Sequence, residues 1–126
     1  MIRLLKNILL FFIAIVLLLT VGSFGLVYTI FDSIFNIRNK SFFKYWGDLV
    51  YTINVGIDKI GNVLLGKFLN EFALTKIEYP FGNINDTISY ALAKNINNLT
   101  SLGRFIVDVL EYIDPGHMER SINERI

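Results

Sequence analysis

Residues 7–31, NILLFFIAIVLLLTVGSFGLVYTIF, run without a single Asp, Glu, Lys, Arg or His. A bilayer core is ~30 Å thick and a helix needs about 20 apolar residues to cross it, so this stretch is long enough to span with some tilt. Arg3 and Lys6 precede it, which suits either a signal-anchor or a secretory signal peptide. The apolar region of a cleaved signal is usually about 7–15 residues and ends in small residues. Here Val21-Gly22-Ser23 is a weak cleavage site, and apolar character continues through Phe24, Leu26, Val27, Tyr28, Ile30 and Phe31. A buried core helix is the third reading, but a helix apolar on all faces finds too little partner surface in so small a protein. The expectation is a retained transmembrane signal-anchor helix over 7–31, a basic flank at 1–6, a juxtamembrane linker at 32–43 and a small helical domain at 44–126.

Basic flanks set orientation. Arg3 and Lys6 stand before the span and Arg38, Lys40 and Lys44 after it, a balance that slightly favours a cytoplasmic C-terminal domain. Phe42, Phe43, Tyr45 and Trp46 beside Lys44 read either as an interfacial aromatic belt or as the start of the domain core. Gly22 and Gly25 lack the GxxxG spacing of tight helix pairs, leaving open a homo-oligomer through the membrane helix.

The 126 residues carry 12 Lys and Arg against 11 Asp and Glu, so no basic field exists to neutralise phosphates and nucleic acid is not an expected partner. The absence of cysteine removes disulfides, thiol nucleophiles and thiolate metal sites together. The length leaves room for one small domain beyond the anchor.

That domain reads as all-α. Trp46, Leu49, Ile53, Ile57, Ile60, Leu64, Phe68 and Phe72 recur at steps of three and four, the signature of one apolar face on a long helix over 44–72. Asp48, Tyr51, Asp58, Asn62, Lys67 and Glu71 fall largely off this stripe. Gly56, Gly61 and Gly66 each cost roughly 1 kcal/mol against Ala in a helix, which predicts a break or a close contact near one of them. Tyr79-Pro80-Phe81-Gly82-Asn83 is a loop. Asn85 or Asp86 is positioned to cap a short helix through Asn95, with Ile88, Ala91 and Leu92 buried. Thr100 or Ser101 caps another, whose Leu102, Phe105, Ile106, Val109, Leu110 and Ile113 follow the 3.6 period while Arg104, Asp108 and Glu111 face out. Asp114-Pro115-Gly116 stops it, and a last short helix covers 117–125.

Little in this chain looks catalytic. His117 is the sole histidine, and Asp114 three residues earlier can orient it as a general base or metal ligand, but one histidine and one carboxylate do not make a metal site. Ser89 would need His117 as its base, and no nucleophile-elbow glycines flank it. Asp86 and Thr87 are accounted for by helix capping. The triplets at Asn39, Asn85 and Asn98 match a glycosylation pattern, of consequence only in a eukaryotic secretory route. No cofactor or metal motif is present.

Three segments carry a resemblance. Ile57-Asp58-Lys59-Ile60-Gly61-Asn62-Val63-Leu64-Leu65, Phe81-Gly82-Asn83-Ile84-Asn85-Asp86-Thr87-Ile88-Ser89 and Ile113-Asp114-Pro115-Gly116-His117-Met118-Glu119-Arg120-Ser121-Ile122 resemble, in order, the D-x-x-x-N-V-L-L, D-E-T-I-S-S and D-P-x-H-C-x-x-S-I patterns of a family of small proteins from tailed bacteriophages and prophages. The resemblance covers about residues 57–122 and implies an origin more than a mechanism. Met118 replaces the cysteine that commonly follows the histidine, which puts a His-Cys metal or redox site in doubt. Asn85-Asp86 replaces two acids. If Asp58, Asn62, Asp86, Thr87, Ser89, Asp114, His117 and Ser121 converge, the expected product is a buried polar network joining the long helix to the short ones. Three functions follow: a non-enzymatic interaction module tethered to the bacterial inner membrane and binding a protein partner, a lysis-accessory or holin-like protein, and a small hydrolase centred on His117.

Overall fold

A computed structural model of the chain describes residues 1–35 and 41–125. The middle of the expected linker, with Arg38, Lys40 and the start of the Asn39 triplet, lies outside the described residues. Among those described the fold is all-α: α1 Ile2–Phe35, α2 Ser41–Phe72, α3 Ile88–Lys94, a 3-10 turn Ile96–Asn98, α4 Ser101–Ile113 and α5 His117–Glu124. The helices extend into both ends of the segment expected as linker. The chain forms two compact units, Met1–Gly47 and Asp48–Ile126.

In the first unit, α1 has 34 residues, about 51 Å at 1.5 Å per residue. It is long and apolar enough to cross a membrane, and Ser33 is the one residue buried in it. Hydroxyls in an apolar helix need partners: Thr20 donates to the Val16 carbonyl at 2.7 Å and Ser23 to that of Leu19. Ser33 Oγ accepts from the Trp46 indole at 3.1 Å.

In the second unit α2 continues unbroken through Gly56, Gly61 and Gly66. The close contact falls at Gly66, where a Cβ would stand 2.7 Å from the Gly82 Cα, so the loop backbone lies directly on the helix. Gly82 itself has φ +108°, a conformation that favours glycine. The loop was expected, and so were α4 and α5, which are joined by the Asp114-Pro115-Gly116 turn. Thr87 and Thr100 are the helix caps, accepting from the Tyr90 and Gly103 amides. Asp86, expected as a possible cap, is instead fully buried, with its carboxylate turned to Tyr79 and Asn83.

The apolar stripe of α2 faces away from the core. Ile53, Ile57, Ile60, Leu64, Phe68 and Phe72 are all exposed. The face that packs carries Asn62, Gly66, Leu69 and Ala73, with half-buried Asp58 beside them. Asn62, off the apolar stripe, has no exposed surface. In α4 likewise, Gly103 and Val107 are buried while Leu102, Phe105, Val109 and Ile113 are open. The core is Leu69, Ala73, Leu74, Phe81, Ala91, Leu92, Ala93, Leu99, Val107 and Met118, in which small side chains bring backbones close together. Leu74 and Leu99 form an isolated antiparallel bridge.

Candidate functional site: a polar network between the helices

The second unit buries polar side chains because its irregular segment, 75–87, must find partners for its backbone groups. Asparagine serves this purpose well, since its amide donates and accepts at once. From α2, Asn62 Oδ1 accepts from the Gly82 amide at 3.1 Å while its Nδ2 donates to the Asn83 and Asp86 carbonyls at 3.0 and 2.9 Å. About two turns later, Asn70 holds both the N–H and the C=O of Phe81. At the end of α3, Asn95 takes the Glu78 and Tyr79 amides and donates to the Tyr79 and Ala91 carbonyls. Asn70, Asn95 and Tyr79 were not singled out from the sequence; the signal was an asparagine-rich chain with a long loop to satisfy.

Asp86 sits at the centre of this clamp. Its Oδ2 accepts from the Tyr79 hydroxyl at 2.7 Å and from Asn83 Nδ2 at 2.6 Å. That bond and burial together push the Tyr79 phenol above its usual range. Asp86 Oδ1 is buried without a hydrogen bond, and the nearest cation is Arg125, whose Nε stands 3.6 Å away.

A second chain of contacts crosses three helices. Asp58 on α2 accepts from the Ile88 amide with Oδ1 and from the Ser89 hydroxyl with Oδ2, both at 3.0 Å. Ser89 Oγ lies 3.1 Å from His117 Nε2, and His117 Nδ1 lies 3.0 Å from Asp114 Oδ2. Arg120 pairs with the other oxygen of Asp114, and the Ser121 hydroxyl donates to the His117 carbonyl at 2.8 Å. The eight residues expected to converge thus divide: Asp58, Ser89, Asp114, His117 and Ser121 in this chain, Asn62 and Asp86 in the clamp, and Thr87 capping α3 between them. A cavity of about 350 Å³ opens beside the chain, lined by Asp58, Ser89, His117 and Arg120 among others. Across it the Tyr51 hydroxyl donates to Glu124 at 3.2 Å; burial and that bond raise the Tyr51 phenol.

Ser89, His117 and Asp114 stand in the order of a hydrolytic triad, but the hydrogens are placed otherwise. Ser89 has one hydroxyl hydrogen and gives it to Asp58. A neutral imidazole satisfies two of the three contacts in the chain, and a ring with hydrogen on both nitrogens satisfies all three. Among the described residues no three of His, Asp and Glu group to hold a metal ion. His117 on α5 touches Ser89 on α3, and if that contact links the two helices His117→Ala should lower the thermal midpoint of the full chain in detergent by several degrees; an unchanged midpoint would contradict the linking role.

Carboxylates also tie the α4–α5 corner. Glu111 accepts from the Met118 and Gly116 amides, both at 2.8 Å, and these bonds hold its carboxyl below the usual range. Hydrogen bonds from His117, then Arg120, do the same for Asp114. A carboxyl lowered in the folded state adds stability above its unfolded pKa, and that contribution is lost as pH falls through the lowered folded value. The midpoint gap between wild type and Glu111→Gln should therefore be full at pH 7 and narrow below about pH 4, where unfolded carboxylates protonate; a pH-independent gap would contradict it.

No family model matches the chain, and neither a curated protein nor a solved structure matches it.

Proposed function

We propose that this chain is a phage-type, non-enzymatic interaction module, tethered by residues 7–31 to the bacterial inner membrane as a single-pass protein with its helical domain on the cytoplasmic side. The observation that carries the tether is α1: 34 residues, apolar and long enough to span, with one residue buried. The second unit gathers its core from residues 69–118. The three phage-like motifs support the origin, and the basic residues after the span support the side. Support for interaction over catalysis comes from the two faces of α2. Its polar face is consumed in holding the fold, while its apolar face is open, and exposed apolar surface of this extent marks association.

A hydrolase reading draws on the Ser89–His117–Asp114 distances, but the Ser89 hydroxyl donates to the Asp58 carboxylate and not to the imidazole. One span and a mainly folded tail support a lysis role less well. Expression in bacteria tests all three: the proposal expects tolerated expression, an intact membrane potential and no labelling of Ser89 by a serine-directed fluorophosphonate. Rapid loss of potential would support disruption, and labelling abolished by His117→Ala would support a hydrolase.

A further inference from the structure

The outer face of α2 has the spacing of a coiled-coil seam. Val50, Ile53, Ile57, Ile60 and Leu64 follow one another at steps of three, four, three and four, which is the a/d alternation of the heptad repeat. All five are exposed, from 46% at Ile53 to 76% at Leu64. They remain so because the opposite face, with Asp58, Asn62, Gly66 and Leu69, is the one engaged by the rest of the unit. With Phe68 and Phe72, also about half exposed, the face offers roughly 700 Å² per copy, close to the ~800 Å² per partner of a standard specific interface.

We propose that this face is covered by α2 of a second copy of the same chain, the two helices running parallel. Positions beside the seam are Asn54, Gly56, Gly61 and Val63, so a like helix meets small or uncharged neighbours and no like-charge pair. Lys67 and Glu71 occupy the next two seam positions, so the five apolar layers end at Leu64 with Phe68 and Phe72 flanking them. A bilayer surface fits the same face less well. Interfacial helices flank their apolar side with Lys and Arg on a free polar face, whereas here Lys59 and Lys67 are offset by Asp48 and Glu71 and the polar face is already occupied. The parallel sense rests on the membrane-tether reading. Two chains anchored in one membrane enter α2 from the same side, and confinement to that plane raises their effective concentration.

The absence of native cysteine allows a direct test in membranes with the full chain. Val50→Cys, Ile57→Cys and Leu64→Cys, each alone, should give disulfide-linked dimers on mild oxidation, and Thr52→Cys, exposed off the seam, should not. Equal crosslinking at Thr52→Cys, or none at the seam positions, would overturn the proposal. Dimers at 57 alone, with 50 to 64 crosslinks in mixed samples, would overturn the parallel sense. Seam cysteines shielded from a water-soluble maleimide but uncrosslinked would assign the face to lipid. Alkaline extraction of the same samples separates the two readings: chain retained but uncrosslinked defeats the seam alone, and chain released defeats the tether.

Discussion

Asn62→Ala should destabilise the helical unit by about 3 kcal/mol, lowering its thermal midpoint by roughly 10 °C or more. The amide is fully buried and makes three hydrogen bonds to the backbone of another segment. Its removal strands the Gly82 N–H and the Asp86 carbonyl, while the Asn83 carbonyl keeps the Asp86 amide at 3.1 Å; each buried unpartnered group costs about 1–3 kcal/mol, less than additively for neighbours. Asn62→Asp should be no milder. It keeps an acceptor for the Gly82 amide but sets a carboxylate oxygen against the Asn83 and Asp86 carbonyls. Lys67→Ala, exposed on the same helix, should stay within about 0.5 kcal/mol. Thermal unfolding of the full chain in detergent measures all three. An Asn62→Ala midpoint equal to wild type would mean that the loop is held some other way.

The second large effect is expected at Gly103. A Cβ there would stand 2.4 Å from the Ala73 carbonyl oxygen and 3.0 Å from Leu99 Cδ2. That carbonyl cannot swing aside freely, because it accepts from the Thr100 amide at 2.9 Å, while the Thr100 hydroxyl donates to the neighbouring Phe72 carbonyl at 2.6 Å. The start of α4 is thus laid on the end of α2 at backbone distance, and Gly103→Ala should cost about 3 kcal/mol, the upper range for overpacking a well-filled contact. Gly56→Ala should have the opposite sign. Nothing lies within 4 Å of its Cβ position, so the substitution removes a helix-interior glycine and gains up to ~1 kcal/mol. Finding the same sign at both positions would refute the packing described.

These predictions show which parts of the structure were readable in the sequence. Periodicity gave α2 and α4 nearly to their ends, and the Thr100 cap and the Pro-Gly stops bounded the later helices. The membrane-length helix was plain from the absence of charge. The direction in which α2 faces was not legible. Its stripe from Ile53 to Phe72 was read as one apolar face, but periodicity reports which residues avoid water and not what removes them from it. Within this unit, the short helices leave that stripe open. They pack instead on the Asn62 face, where backbone groups of the 75–87 segment find partners.

The polar residues were legible as a set and not as a geometry. Asp58, Ser89 and His117 lie about one helix-turn-helix apart in sequence, and their meeting depends on α3 packing against both α2 and α5. Nothing local specifies that Ser89 gives its hydrogen to Asp58. Glu111, expected to face outward, is half-buried and holds the turn before α5. Its role was hidden because the amides it accepts from, Gly116 and Met118, lie beyond the proline.

The central claim is that α1 is an anchor and that the specific part of the protein lies after it. Alkaline carbonate extraction of bacterial membranes tests this most directly, comparing the full chain with one starting at Lys44. The account predicts that the full chain stays in the pellet and the shortened chain moves to the supernatant. Release of the full chain would contradict it.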